Sequence, residues 1–230
     1  MVQLQPSSQP AVIYPDSDGK PMADNTKQFR WIVAIKQNLD WLFRDDPNVF
    51  VAGDLLWYPV EGDNKKCTAP DVMVVLGQPK GDRGSYKQWE EENLPPQIVF
   101  EILPSGNRKA EMNRKLLFYN RFEVDEYYLY DPDKNELSGW LRRDGFLDVI
   151  ELIADWVSPL LQIKFNLTEE QLQIFHPDGQ RFLSYEEIVQ QLGVESQKAE
   201  TERQRAEKAE ARANILADKL REMGIDPDQI

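Results

Sequence analysis

The sequence predicts an α/β (α+β) protein that ends in a separate heptad-bearing helix. Three observations carry this reading. Two runs, Val72–Leu76 and Ile98–Leu103, the second interrupted by one carboxylate, Glu101, have the near-continuous apolar character of strands buried on both faces. Two segments, at about 26–45 and 108–121, carry apolar residues at helical spacing. The stretch 195–223 lacks aromatic residues and repeats with a period of seven.

The chain has 230 residues, long enough for one sizeable core with an appendage. Apolar residues make up 41%, so most of it should fold, while the mean hydropathy of −0.59 betrays a polar segment diluting the average. No apolar run reaches the roughly 18 residues of a membrane span. The start, MVQLQPSSQPAVIYP, lacks a basic region followed by an apolar stretch, so no secretory signal is visible and a cytoplasmic location is expected. One cysteine, Cys67, excludes an internal disulfide framework and a multi-cysteine metal site. One histidine, His176, excludes a histidine-cluster zinc site and argues against a serine–histidine–aspartate triad. A net charge of −13 argues against coating nucleic acid through bulk positive charge.

Taken in order, residues 1–24 are rich in Pro, Ser, Gln and Asp and read as a flexible or loosely docked arm. The first helix follows, capped by Asn25 or Thr26, with Phe29, Ile32, Val33, Ile35, Leu39, Leu42 and Phe43 on its apolar side. Val49–Ala52 and Leu55–Val60 read as strands, then Val72–Leu76. The polar stretch Gly77–Asn93 reads as a mobile loop beside the site. After Ile98–Leu103 and the helix at 108–121 come strands at Tyr127–Tyr130, Leu137–Leu141 and Leu147–Leu152, with an Asp131–Asn135 turn in the first connection. Leu172–Phe175 and a Pro177-Asp178-Gly179 turn suggest one more hairpin. Ser184-Tyr185-Glu186-Glu187 forms a capping-box pattern that opens a short helix to about 192.

In the tail, Ala199, Ala206, Ala213 and Leu220 form one heptad series, and Ala209, Leu216 and Met223 the other, with Glu202 as its polar exception. Seven acidic and seven basic residues leave it neutral, so the acidity belongs to the rest of the chain. The pattern fits either an oligomerising coiled coil, with self-association or a partner protein, or a lone solvated helix. Alanine at the core positions buries little area per heptad.

Two carboxylates stand out by their surroundings. Asp71 sits at the mouth of one apolar strand and Glu101 inside the other. A carboxylate in such a place is costly without a compensating cation, either Arg or Lys or a divalent metal. If the strands are neighbours, both could converge on one cation, and hard oxygen ligands favour Mg²⁺ or Mn²⁺. The alternative is a structural pairing of Glu101 with an arginine, or a solvent-facing Glu101. From Arg108 to Arg121 there are five basic residues and one acidic, Glu111. Such a patch would offset the carboxylates at a phosphodiester. Met112, Lys115, Leu116, Tyr119 and Phe122 share one helical stripe, which sets Lys115 inward. Lys115 either snorkels at the stripe's edge or extends its ammonium over the carboxylate pair to stabilise developing charge.

These residues together resemble the PD-(D/E)xK nuclease superfamily, and more narrowly the Uma-type restriction endonucleases. The match runs through Ala69-Pro70-Asp71, Glu101-Ile102-Leu103, Glu111 with Lys115 and Tyr119, and Glu126-Tyr127-Tyr128-Leu129-Tyr130-Asp131-Pro132. It covers about residues 20–190. Phe50–Pro59 resembles a subgroup with charged, heptad-bearing tails. The resemblance implies a restriction-endonuclease-like mixed sheet flanked by helices at about 25–192. It implies catalytic residues Asp71, Glu101 and Lys115, with Asp71 and Glu101 binding Mg²⁺ or Mn²⁺ together with a backbone carbonyl after Glu101. Arg108, Lys109, Arg114 and Tyr119 are the expected substrate contacts. The superfamily spacing would put a lysine at 103, where this chain has Leu103, so Lys115 is the candidate substitute. The family's Ser-Pro order appears here as Pro104-Ser105. An acidic residue on the first helix, which some superfamily members carry, is represented only by Asp40 and is not assigned.

Cys67 has no histidine partner in view and reads as a loop or core thiol. His176 flanks a turn, and the six tryptophans read as core or lid rather than a stacking platform. Gly81-Asp82-Arg83-Gly84 lacks the context of a phosphate loop. Two functions follow: a Mg²⁺-dependent endonuclease acting on DNA, or an inactive nuclease-fold scaffold that works through its tail.

Overall fold

A computed structural model describes residues 12–19, 21–104 and 109–223. The chain divides into two compact units, Met1–Phe182 and Leu183–Ile230.

In the first unit, α1 spans Thr26–Leu42, with the Asn25 side chain capping it by accepting from the Gln28 N–H. The strands are β1 Val49–Gly53, β2 Trp57–Tyr58, β3 Val72–Leu76, β4 Tyr86–Lys87 and β5 Ile98–Ile102, followed by α2, Lys109–Arg121. After α2 come β6 Glu126–Asp131, β7 Glu136–Arg143, β8 Phe146–Val149, β9 Lys164–Leu167 and β10 Leu172–Phe175. Six strands form one mixed sheet in the order β1-β3-β5-β6-β7-β8. Every neighbouring pair is antiparallel except β5 and β6, which are parallel and joined through α2. The crossover helix is the connection a parallel pair requires.

Strand alternation sorts the core into two layers. Val72, Val74, Ile98, Phe100, Tyr128 and Tyr130 face one side, under Ile32, Ile35 and Leu39 of α1 and the β9–β10 hairpin. Met73, Val75, Val99 and Tyr127 face the other, against Tyr119 of α2 and Trp57 of β2. The central strands are covered on both faces, which is why their sequences are continuously apolar. Gly139 in β7 faces the first layer. A Cβ there would come within 2.7 Å of the Ile153 and 3.0 Å of the Ile150 side-chain tips, so a larger residue would have to push the loop's isoleucines aside.

Several expectations are corrected. Phe29 and Trp41 are exposed, while Gln28 and Asn38 take buried places on the inner side of α1. The strand expected at Leu55–Val60 shrinks to Trp57–Tyr58, and β4 and β9 are additional. The stretch 77–93 holds β4, paired parallel with β2, and is pinned by Arg83, which ion-pairs with Glu91 at 2.7 Å and lies over the Phe50 ring. It contributes no residue to the cavity described below. The arm is docked over its described part: the Tyr14 ring packs on Tyr58 and Trp89, Tyr58 donates to the Pro15 carbonyl at 2.7 Å, and Asn64 donates to that of Ile13 at 2.8 Å. His176 is buried against Phe182 with a ring nitrogen 3.3 Å from the Asn38 side-chain oxygen, a structural role.

The second unit is α3, Tyr185–Glu222, a single helix of 38 residues opened by a Ser184–Glu187 capping box. The expected break near 192 does not occur, and Gly193 is passed without interruption. Leu192, Ile215, Leu216 and Met223 are exposed along it.

Candidate active site

The register of β3 and β5 builds the site. Val72 pairs with Phe100 and Met73 with Val99. One step further along the same register sets Asp71 opposite Glu101, on the face that carries α2. Side chains opposed in this way have Cβ atoms about 5 Å apart, and like charges there repel. Asp71 is 6% exposed and Glu101 1%. The two strand ends therefore hold two carboxylates side by side and out of water.

Each carboxylate has its own set of donors. Lys115 of α2 places its Nζ 2.7 Å and 2.8 Å from the two Glu101 oxygens and 3.2 Å from the Ala69 carbonyl. Tyr119, one turn on, donates its hydroxyl to Glu101 Oε1. Asp71 Oδ2 accepts from the Ile102 N–H at 2.6 Å and from Gln28 Nε2 at 3.5 Å. The same Gln28 amide donates to the Ile102 carbonyl at 3.0 Å, while its Oε1 accepts from the Asp24 N–H at 2.9 Å. Three contacts thus fix the Gln28 amide in one orientation.

The electrostatics follow from this packing. Burial pushes the Asp71 carboxyl up to about 8, and the Glu101 charge adds to the rise against the opposing pull of Lys115. Burial alone would depress the Lys115 ammonium, but Glu101 and Asp71 outweigh it and hold its pKa above the ordinary value. Asp54, in the left-handed region at φ 48°, is also raised, first by burial and then by Asp18.

All these groups lie at or near one cavity of about 730 Å³. Asp71, Glu101, Ile102 and Lys115 line it, as do Gln28, Asp54, Arg114 and the arm residues Asp18 and Asp24. Among the described residues, no cluster of three His, Cys, Asp or Glu side chains could hold a metal ion. The donors suited to a cation are instead two carboxylates and the Ile102 carbonyl. This all-oxygen set is of the kind that hard divalent cations take.

Of the expected site residues, Asp71, Glu101 and Lys115 come together. Arg114 reaches the cavity as an exposed side chain. Arg108 and Ser105 lie outside the described residues, and Lys109 opens α2. Tyr119 is 0% exposed and bound to Glu101, so it supports the carboxylate instead of meeting a substrate. Cys67 lines the cavity. Gln28 is the functional neighbour that sequence reasoning missed. It stands four and seven residues before Ile32 and Ile35, so a polar residue on the apolar stripe was the available signal.

A mixed sheet with an acidic pair on adjacent strands and a lysine from the crossover helix defines a restriction-endonuclease-like α+β protein. The family model Uma2, described as "putative restriction endonuclease", matches residues 18–202, and the chain belongs to that family. Among solved structures it is similar to the crystal structure of a "putative nuclease belonging to DUF820" from Anabaena variabilis ATCC 29413. That similarity has 14% identity and a TM-score of 0.44, covering 59% of this chain and 72% of the other. No curated protein matches the chain.

Proposed function

We propose that the protein is a Mg²⁺- or Mn²⁺-dependent endonuclease that hydrolyses DNA phosphodiester bonds in the cytoplasm. The observation that carries this reading is the convergence of Asp71, Glu101 and Lys115 on one cavity. Asp71, Glu101 and the Ile102 carbonyl would hold the cation. When bound, it supplies Lewis-acid activation of water and neutralises charge on the phosphate.

The other steps belong to the chain. Lys115, kept protonated by its carboxylate partners, acts as a fixed positive charge beside the scissile phosphate, not as a base. Tyr119 and Gln28 hold Glu101 and Asp71 in orientation. Arg114 at the cavity contacts flanking phosphates, joined by Arg108 and Lys109 from the same basic stretch of sequence. The exposed apolar residues of α3 support self-association through 195–223, which would bring two sites to two strands. Leu216→Glu with Leu220→Glu in the full chain should then shift the sedimentation mass to that of a monomer.

The test is relaxation and nicking of supercoiled DNA with Mn²⁺. Wild type should cleave, and the Asp71→Ala, Glu101→Ala double variant should not. Equal cleavage by both would dismiss the assignment. The cavity lining favours a second reading, an inactive scaffold: six carboxylates (Asp18, Asp24, Asp54, Asp71, Glu101, Glu111) face it against Arg114 and Lys115. Absence of Asp71-dependent Mn²⁺ binding by calorimetry would favour the scaffold.

A further inference from the structure

We propose that Tyr127 is a positioning residue of the same site: its hydroxyl holds one water molecule against the Asp71–Glu101 pair. The proposal rests on the cation-site reading above and adds a residue to it.

The strand register locates Tyr127. On β6 it pairs with Val99 of β5, while Glu101, two residues further along β5, pairs with Leu129. Val99, Glu101 and Tyr127 therefore share the face that carries α2. Tyr127 lies one strand across from Glu101 and one row deeper. Its ring is clamped between Tyr119, with centroids 5.0 Å apart, and Trp140, stacked at 4.9 Å. The ring cannot swing its hydroxyl out to solvent, and the residue is 0% exposed.

That hydroxyl is the one buried side-chain polar atom without a hydrogen-bond partner among the described residues. Its surroundings would accept phenylalanine, and an unpartnered buried hydroxyl costs stability that phenylalanine would not. Tyr119, in the same layer, differs because its hydroxyl is spent on Glu101. Tyr127 touches neither carboxylate, yet both act on it: burial first, then Glu101 and Asp71, hold its proton on far above the ordinary phenol range. The hydroxyl makes no hydrogen bond to either carboxylate, and the register sets its residue one strand across and one row from Glu101, a gap that the proposed water would bridge. A water accepting from Tyr127 and donating to a carboxylate oxygen fixes which lone pairs remain for a cation. Groups that orient ligands in this way typically change metal affinity by about tenfold or more.

The experiment uses the full chain as wild type, Tyr127→Phe and Tyr119→Phe, with Mn²⁺ titrated by calorimetry and melting followed in EDTA. Tyr127→Phe should melt at or above wild type without metal yet bind Mn²⁺ about tenfold more weakly. Tyr119→Phe should melt below wild type, because it removes a satisfied hydrogen bond. Unchanged Mn²⁺ affinity in Tyr127→Phe, whatever its melting temperature, overturns the role of Tyr127 while leaving the cation site intact. Wild type without Asp71-dependent Mn²⁺ binding overturns the cation site itself and this inference with it.

Discussion

Two buried glutamates on opposite faces of one sheet make an instructive pair. Glu101 on β5 is 1% exposed and Glu126 on β6 is 0% exposed. Both sit in strands that the sequence makes apolar. Glu126 is closed in by neutral donors: the Ser158 and Tyr128 hydroxyls and the Leu160 N–H, the last at 2.8 Å. It does not line the cavity. Glu101 is held by a cationic side chain on a helix, faces a second carboxylate and opens onto the cavity. Burial of an acid is therefore not the mark of a functional site. The marks are a charged partner, a like-charged neighbour and access for a ligand. Glu126 pins the 156–161 loop to the sheet and can be read as structure.

The largest expected difference between the two lies in chemistry. Glu101→Gln should reduce Mn²⁺-dependent cleavage by about 100-fold or more, because it removes a ligand charge, whereas Glu126→Gln should leave it within about twofold. Comparable losses in both, measured as nicking rates on equally folded protein, would erase the distinction.

In stability the order reverses. Glu126→Ala strands two hydroxyls and a backbone N–H in the core and should cost about 3 kcal/mol in urea denaturation. Asp71→Asn in EDTA at neutral pH should cost nothing or stabilise, since it removes an acid that must take up a proton to be buried beside Glu101.

The pH dependence sharpens this further. The folded Asp71 carboxyl titrates near 8, above its unfolded value of 3.8. Between those values the folded state binds the proton and the unfolded state does not, so this group's contribution is fully present below about pH 4 and is lost as pH rises to about 8. Metal-free protein should lose up to about 1.4 kcal/mol per pH unit across that window, and Asp71→Asn should flatten the curve. Mn²⁺ affinity should run the other way, weakening below pH 8 as the cation competes with the proton. A metal-free stability curve that Asp71→Asn leaves unchanged would contradict the buried-acid reading.

The smallest effect belongs to Gln28. Gln28→Ala removes the donor shared by Asp71 and the Ile102 carbonyl and should cost about 1 kcal/mol, with a modest loss of Mn²⁺ affinity. Unaltered affinity would demote Gln28 to a support of α1.

Much of this site was legible before any fold was known. Asp71 and Glu101 stood out because charged residues interrupt runs that otherwise contain only Val, Ile, Leu, Phe and Met. Lys115 stood out because it occupies an apolar helical stripe. Gln28 broke the same rule but was overlooked, because it sits in the first turn, where polar residues are ordinary. Phe29 was expected inside by its hydrophobicity, yet the helix turns it to solvent and puts Gln28 inward. The short strands β4 and β9 were missed for want of contrast: Tyr86–Lys87 is two residues, and Lys164–Leu167 alternates too briefly to stand out.

The order of residues determined the strands, the crossover helix, the heptad tail and the identity of the acidic pair, since periodicity and composition are local properties of the chain. It could not determine that Asp71 stands opposite Glu101, that Lys115 reaches across to both Glu101 oxygens, or that Glu126 is sealed and Glu101 open. Those depend on strand order, register and the loops that cover each face. They arise from packing between segments distant in sequence, where only the folded chain brings the charges together.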